Sequence, residues 1–345
     1  MTKPSAAIDL DRLSAYLDEH IEGFAGPVTA EKFSGGQSNP TFLLTADSGR
    51  YVLRRKPPGI LLQSAHAVDR EYRIMTALKG TGVPVPETYA LCEDDDVIGS
   101  MFFVMSFEDG RVFWDPALPD LPKEERSAYY HEMIRVLAAL HEVDIDAVGL
   151  GDFGKPGNYF ERQLNRWVKQ YRASETETLP AMEKLIDWLS ERLPEDDSQV
   201  SLIHGDFKLD NIMFAKSEPR ALALLDWELS TLGHPLADLA YACMTLRIPP
   251  TPDFKGLGGL DRQALGIPSE QDMIDEYCRL RNIESIENWP FYLAFSFFRL
   301  GAIAQGVMKR AIDGNASSEK AMQVGKLAGI LAQLALNTID ECERG

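Results

Sequence analysis

Cysteine is scarce in this sequence of 345 residues, which contains four. No two cysteines form a Cys-x-x-Cys pair, and none stands at a metal-binding spacing from one of the six histidines. The sequence therefore predicts neither a disulfide framework nor a zinc site. Free thiols are typical of a reducing compartment, so we expect the protein to be cytoplasmic.

Long hydrophobic runs are also missing. The N-terminal segment contains Asp9, Asp11 and Asp18, which interrupt the apolar stretch that a secretory signal peptide requires. The most apolar segment, residues 291–308, includes Arg299, and this composition predicts a buried helix rather than a membrane span. We therefore expect no membrane partner.

Basic residues are outnumbered by acidic ones. The chain has 35 Lys and Arg against 53 Asp and Glu, which gives a formal net charge of −18. Nucleic acids and anionic lipid surfaces both bind basic patches, so this balance argues against both partners. It leaves room for a local basic pocket that binds a phosphorylated ligand.

The sequence does have the composition of an ordinary globular protein, with 45% hydrophobic and 26% charged residues. Its length suggests two compact units at about 150 residues per domain. Apolar patterns predict strands at 41–45, 50–54, 88–92, 101–105, 200–203 and 221–225. Helical patterns predict helices at 8–21, 65–78, 123–141, 158–173, 180–192, 270–281, 290–311 and 318–341. These patterns indicate an α+β fold in which a strand-rich part over 1–105 is joined through 106–110, the hinge segment, to a helical part over 111–345; the function of 106–110 as a hinge is implied by the resemblance described below.

One polar segment carries a recognisable chemistry. Residues 204–211 read His-Gly-Asp-Phe-Lys-Leu-Asp-Asn and follow a short apolar strand, while Asp226 ends a second apolar strand fifteen residues after Asn211. Phosphoryl transfer needs a carboxylate that orients the acceptor hydroxyl and further oxygen ligands that hold Mg²⁺. The spacing Asp206-x-Lys208-x-x-Asn211 matches the catalytic loop of protein kinases, and Asp226 stands where their second metal-binding aspartate would be.

The segments HGDFKLDN (204–211) and LLDWE (224–228) together resemble the aminoglycoside phosphotransferase-like kinases. The resemblance implies a protein-kinase-like bilobal fold, with a small antiparallel-sheet lobe and a larger helical lobe. It implies ATP and Mg²⁺ as cofactors and a small molecule with a hydroxyl group as acceptor. Asp206 and Lys208 would be catalytic, with Lys208 touching the transferred phosphate. Asn211 and Asp226 would bind the metal.

The same resemblance places a phosphate-covering loop and a phosphate-binding strand in the N-terminal part. The loop residues would be Gly35, Gly36, Gln37, Ser38 and Asn39. Val52 would cover the adenine, and Arg54 would reach the phosphates from the same strand face. An arginine here departs from the usual lysine, and the sequence leaves open whether Arg54, Arg55 or Lys56 makes this contact.

The remaining kinase elements follow in chain order. Glu71 would be the helix partner of the phosphate-binding cation. The adenine-binding segment would comprise Met105, Ser106 and Phe107. Asp238 would brace the catalytic loop, and His204 would hold it by hydrogen bonds. The other histidines read as helix or surface residues, namely His20, His66, His131 and His141.

The acceptor is the least determined feature. Five segments resemble the kinase-like domain of certain animal acyl-CoA dehydrogenases, namely GGQSNPTF, YVLRRKPPG, SAHAVDREYR, DGRVFWDPALP and NYFERQLNRW. That resemblance implies a hydroxyacyl-CoA acceptor in fatty-acid catabolism. Phe113 and Trp114 could wall its pocket. The candidate cationic contacts are Arg162, Arg166, Arg299, Lys309 and Arg310.

Two other functions remain open at this level. The charge of −18 favours a cationic acceptor such as an aminoglycoside antibiotic. The arginine in place of lysine is compatible with a pseudokinase that serves as an interaction module, although Asp206, Asn211 and Asp226 are all retained. The sequence decides neither between ATP and GTP nor between a monomer and a homodimer.

Overall fold

The computed structural model describes residues 8–33, 39–57, 67–251, 254–314 and 321–344. The chain forms two compact units. The first comprises Met1–Arg111, Asp146–Leu150 and Ile212–Leu229, and the second comprises Val112–Ile145, Gly151–Asn211 and Ser230–Gly345. The chain first passes between them after Arg111, next to the predicted hinge.

The helices and strands agree closely with the sequence patterns. In chain order they are α1 (Leu10–His20), β1 (Thr29–Lys32), β2 (Thr41–Ala46), β3 (Gly49–Arg55), α2 (Val68–Leu78), β4 (Thr88–Cys92), α3 (Asp95–Ile98), β5 (Phe102–Ser106), β6 (Arg111–Val112), α4 (Lys123–His141), α5 (Tyr159–Ser174), α6 (Pro180–Glu191), β7 (Ser201–Ile203), β8 (Ile212–Phe214), β9 (Ala221–Leu224), β10 (Thr231–Gly233), α7 (Leu236–Arg247), α8 (Glu270–Arg281), α9 (Trp289–Ile312), α10 (Ala321–Gly325) and α11 (Leu327–Arg344). Short 3-10 helices lie at Leu209–Asn211 and Trp227–Leu229. The helix predicted at 318–341 is observed as two, α10 and α11.

The first unit is built on a five-stranded sheet in the order β1-β2-β3-β5-β4, in which every neighbouring pair is antiparallel. Side chains alternate along each strand, so Phe42 and Leu44 of β2 are buried while Thr45 is exposed. Helix α1 packs Leu13 and Leu17 into the same apolar cluster. The sheet therefore fixes the position of β3 and determines which of its side chains lie on each face.

Helix α2 buries one face with helical spacing, formed by Val68, Glu71, Ile74, Met75 and Leu78. Four of these residues are apolar, and Glu71 is a carboxylate with 2% relative exposure. A buried carboxylate is unstable without hydrogen bonds or a cation beside it. Glu71 of α2 therefore requires hydrogen-bond donors or a cation from other elements of the fold.

The second unit is mainly helical. Strands β7 and β10 form an antiparallel pair, in which Leu202 lies opposite Leu232. Helix α9 is long and apolar enough to cross a membrane by length and composition, yet 67% of its most apolar window is buried inside the protein. It packs against α5, α7 and α11. The prediction of a buried helix at 291–308 is confirmed.

Candidate active site

The loop 204–211 begins directly after β7 and is held by Asp238, the third residue of α7. The backbone N–H of His204 donates to Asp238 Oδ2 at 2.6 Å, and that of Gly205 donates to Oδ1 at 2.8 Å. Asp238 is 1% exposed, so one buried carboxylate satisfies two backbone donors. The geometry agrees with the bracing role expected for this residue.

Arg299 holds the same loop from α9. Its Nη2 donates to the carbonyl of Gly205 at 2.6 Å, and its guanidinium lies 5.5 Å from the ring centroid of Tyr241 and 5.8 Å from that of Trp167. Arg299 is 9% exposed. Its expected role as a contact for the acceptor is therefore corrected, because the side chain faces the interior and supports the loop.

His141 adds a further layer behind Asp238. Its Nδ1 lies 2.7 Å from the Tyr277 hydroxyl, and its Nε2 lies 3.5 Å from Asp238 Oδ2. Burial lowers the pKa of His141, and Asp238 offsets part of that effect. The expected helix position of His141 is confirmed, since it is the last residue of α4, and the residue is buried rather than at the surface.

This arrangement makes stability sensitive to acid. The unfolded chain takes up a proton on histidine near pH 6.5, whereas burial disfavours protonation of folded His141. The stability that neutral His141 contributes is therefore fully present above pH 6.5 and falls at lower pH. Glu71 acts in the opposite direction, because burial raises its pKa to about 7.

We therefore expect a difference between wild type and His141→Gln. As the pH is lowered from 7.5 to 5.5, wild type should lose about 1 kcal/mol of unfolding free energy relative to the variant. Urea unfolding at both values measures this difference and cancels the Glu71 contribution. Parallel losses in the two proteins would contradict the prediction.

Within the loop, the predicted catalytic residues lie together. Lys208 Nζ is 3.5 Å from Asp206 Oδ2 and 3.2 Å from Asp210 Oδ2. Asn211 Nδ2 donates to the Asp206 carbonyl at 2.8 Å and to Asp206 Oδ2 at 3.1 Å. Burial lowers the pKa of Lys208, but Asp206 and Asp210 more than offset this, so it stays a cation. The loop presents a carboxylate, an ammonium and an amide side by side.

Tyr241 is a site residue that sequence reasoning missed. It lies one turn after Asp238 on α7 and is 7% exposed, with the Asp206 carboxylate nearby. Burial raises its pKa well above the ordinary value, so the hydroxyl remains protonated and can donate. Only its helical spacing from Asp238 could have indicated this position.

A cavity of about 380 Å³ opens beside the loop within the second unit. Its lining is mostly aromatic and aliphatic, with lysines at two positions, and comprises Phe113, Trp114, Pro116, Tyr130, Met133, Lys208, Leu209, Asp210, Tyr241, Ala242, Thr245, Leu246, Phe254, Lys255 and Leu300. Phe113 and Trp114, which were expected to wall the acceptor pocket, are among these lining residues. Arg162 and Arg166 are not among the lining residues, and Arg162 donates to the carbonyls of Lys155 and Pro156 instead.

The first unit contains the predicted nucleotide-side residues. Arg54 Nε lies 2.8 Å from Glu71 Oε2, and Arg54 Nη2 donates to Asp226 Oδ1 at 3.0 Å. Burial lowers the pKa of Arg54, and the two carboxylates raise it by more. Arg55 points to the opposite face, where it is 1% exposed and Nη1 donates to the Ile98 carbonyl. Alternation along β3 thus selects Arg54 as the cation on the Glu71 side.

Asn39 occupies a different place from the one expected. It is 3% exposed, and its Nδ2 donates to Glu71 Oε1 at 2.7 Å. Its side-chain amide is therefore a buried partner of Glu71, and its expected part in binding the phosphates stays a prediction. The other expected loop residues, Gly35, Gly36, Gln37 and Ser38, lie outside the described residues.

Asp226 has an unusual backbone. Its φ is +65°, in the left-handed region that non-glycine residues seldom adopt. Such conformations store strain and cluster at functional sites. The Trp227 indole that follows donates to the Leu224 carbonyl at 3.0 Å, which holds the turn after β9. The turn presents the Asp226 carboxylate with 38% of its side chain exposed.

The expected adenine-binding residues are partly corrected. Val52 is buried and lies opposite Met105 in the β3–β5 register, so both belong to one sheet position. The backbone N–H of Ser106, however, donates to the Glu87 carbonyl at 2.8 Å, and its hydroxyl donates to Glu108. Ser106 therefore cannot offer its N–H to an adenine edge in this conformation. Phe107 stacks under the guanidinium of Arg50 at 4.1 Å.

The donor set fits magnesium chemically. Among the described residues, no group of three or more His, Cys, Asp or Glu side chains could hold a metal ion. Mg²⁺ at phosphate sites takes one or two carboxylates, with water and phosphate oxygens completing its shell. Because the Asn211 amide nitrogen bonds to Asp206, its oxygen is the atom left for a metal. The side-chain oxygens of Asn211, in the second unit, and of Asp226, in the first unit, are each of the hard type that Mg²⁺ prefers.

The chain resembles known proteins in sequence. The sequence model of the phosphotransferase enzyme family matches residues 29–262. Mouse acyl-CoA dehydrogenase family member 10 is 47% identical over 335 residues, which are 96% of this chain and 31% of that protein. The chain thus spans less than a third of this relative.

Two solved structures are similar over almost the whole chain. A Ralstonia eutropha protein named as an aminoglycoside phosphotransferase is 50% identical, with a TM-score of 0.89 over 97% of this chain and 99% of that one. The aminoglycoside phosphotransferase APH(4)-Ia, in a ternary complex with ADP and hygromycin B, is 14% identical with a TM-score of 0.60, over 94% and 97% of the two chains. The second likeness concerns the fold alone. Together they confirm the predicted kinase-like α+β fold.

Proposed function

The chain belongs to the phosphotransferase enzyme family, and on this premise we propose that it transfers the γ-phosphate of ATP to an alcohol hydroxyl of a small molecule. The observation that carries the proposal is the braced loop with Asp206, Lys208 and Asn211 beside a cavity of about 380 Å³. A cavity of this size accommodates a small organic acceptor. An acceptor bound there would lie beside the loop that carries Asp206.

Each polar side chain has a distinct role in this proposal. Asp206 accepts or orients the hydroxyl proton, and Asn211 holds its carboxylate. Lys208 balances the negative charge of the transferring phosphoryl group. Asn211 and Asp226 would hold Mg²⁺, which neutralises the charge of the phosphates when bound. Catalysis then comes mainly from positioning and electrostatics.

The nucleotide side is supported by Arg54. Its guanidinium is held by Glu71 and Asp226, which leaves a planar cation suited to bidentate binding of phosphate oxygens. A phosphotransferase of the same fold has been solved with ADP, and we extend an adenine nucleotide to this chain as its proposed donor.

The cavity supports an acceptor that is apolar and carries a negative charge. Its walls are aromatic and aliphatic, and Lys208 and Lys255 are its cations, with Asp210 already paired to Lys208. A polycationic aminoglycoside would meet both lysines. A hydroxyacyl-CoA fits this chemistry, and the sequence likeness to an acyl-CoA dehydrogenase family member supports the same class.

A coupled ADP-release assay with ATP and Mg²⁺ tests the proposal. The panel contains hydroxyacyl-CoA thioesters, the matching free hydroxy acids and several aminoglycosides. We expect turnover on a thioester, which Asp206→Ala should lower by about 10²-fold or more. Turnover on an aminoglycoside alone would transfer the protein to the antibiotic-modifying class. An absence of ATP binding would favour the pseudokinase.

Lys255 provides a test of acceptor charge. It lines the cavity, and its ammonium lies 3.8 Å from Asp115, with 58% of its side chain exposed. Lys255→Glu should raise KM for an anionic acceptor about tenfold, which corresponds to about 1.4 kcal/mol, and leave KM for ATP unchanged. Lys184→Glu, at an exposed position of α6, is the matched control for the charge reversal. Equal effects of the two variants would contradict an anionic acceptor at this cavity.

A further inference from the structure

The Glu71 carboxylate is held on both of its oxygens by different elements. Oε1 accepts from Asn39 Nδ2 at 2.7 Å, and Oε2 faces Arg54 Nε at 2.8 Å. Asn39 stands two residues before β2 and Arg54 lies on β3, so the carboxylate of α2 joins both segments. Asn39 and Glu71 are 3% and 2% exposed, so water cannot readily replace either contact.

The contact to Asn39 has a geometric consequence for Arg54. Rotation of a carboxylate about its terminal bond has broad preferences, so the side chain alone does not determine where each oxygen points. The bond from Asn39 to Oε1 fixes that rotation and directs Oε2 to the guanidinium. Asn39 is itself held, because Thr41 Oγ1 donates to its carbonyl at 3.1 Å.

We propose that Asn39 is a positioning residue of the nucleotide site, which acts through Glu71 to orient Arg54 for the phosphates of ATP. The inference rests on the proposed function, because Arg54 receives its role there. It changes the expected role of Asn39, since the amide serves the Glu71–Arg54 pair rather than the phosphates directly.

The charges around Glu71 make this role measurable. Burial raises the pKa of Glu71 to about 7, Arg54 and the Asn39 bond oppose the rise, and Asp226 adds to it. Glu228 acts on Arg54 from the turn after Asp226. Strands β4 and β5, which also pack against α2, contain no Asp, Glu, Lys or Arg. Without Asn39, Glu71 should therefore ionise at higher pH.

Isothermal titration with ATP and Mg²⁺ tests the inference without requiring the acceptor. A double-mutant cycle uses wild type, Asn39→Leu, Glu71→Gln and the double variant. Asn39→Leu should raise the Kd for ATP about tenfold, because a buried charged acceptor loses its donor. In the Glu71→Gln background the same change should have less than a twofold effect. The pH midpoint of ATP affinity should also be higher in Asn39→Leu than in wild type.

The alternative outcomes are distinct. Unchanged ATP affinity in folded Asn39→Leu would overturn the inference. An equal loss in both backgrounds, with no change in pH midpoint, would also overturn it, because Asn39 would then act independently of Glu71. If Asn39→Leu does not fold, Asn39→Ser replaces it with the same criteria. A folded wild type that binds no ATP would instead defeat the proposed function.

Discussion

Asp206→Ala should lower kcat for phosphoryl transfer by about 10²–10⁴-fold, the range for loss of a positioned general base. The carboxylate is the group that can orient the acceptor hydroxyl beside the cavity, and Lys208 and Asn211 both contact it. KM for ATP should change little, because Asp206 belongs to the acceptor side of the proposal. Steady-state assays with varied ATP and varied acceptor separate the two effects.

The fold should survive this change. The Asp206 side chain is 22% exposed, and the loop backbone is held by Asp238 and Arg299 rather than by Asp206. Asp187→Ala, at an exposed position of α6, is the matched control and should retain full activity. Near wild-type turnover in Asp206→Ala would contradict a catalytic role for this loop.

Asp226→Asn should also reduce kcat, by about 10²–10³-fold, comparable to the loss of one strong electrostatic contact to the transition state. The substitution removes a carboxylate that would hold Mg²⁺ and that pairs with Arg54 at 3.0 Å. Asparagine tolerates the left-handed conformation at φ +65°, so the backbone should not be strained further. The loss is then a loss of charge, and higher Mg²⁺ should restore part of the activity.

Rate measurements over a Mg²⁺ series, with thermal unfolding in parallel, check this expectation. Asp47→Asn, in the exposed turn between β2 and β3, is the matched control of the same chemistry. An Asp226→Asn protein with an unchanged rate and an unchanged Mg²⁺ requirement would contradict the role of Asp226 as a metal ligand.

Much of the fold follows from local patterns. The helices at 270–281 and 290–311 and the strands at 41–45 and 88–92 were predictable because each has a strong period and clear ends. The helix α3 and the strands β1 and β8 are too short for their residues to show a hydrophobic period. The break between α10 and α11 has no counterpart in the apolar pattern, which continues through it.

Local spacing along the chain indicates which residues could carry out phosphoryl transfer. The spacing of Asp206, Lys208 and Asn211 within one loop, and of Asp226 after the next strand, is a local property of the chain. Alternation along β3 likewise puts Val52 and Arg54 on one face. These features indicated a phosphotransferase before any contact was known.

The contacts that hold the catalytic loop and the Arg54–Glu71 pair depend instead on packing between residues far apart in the chain. Asn39 and Glu71 are 32 positions apart, His204 and Asp238 are 34 apart, and Gly205 and Arg299 are 94 apart. The residues next to each partner in the sequence do not indicate these contacts. A buried asparagine, histidine or arginine can have the same sequence neighbours as an exposed one. These residues pair because each buried polar group needs a hydrogen-bond partner. Their burial, and with it this need, arises only when the core is packed.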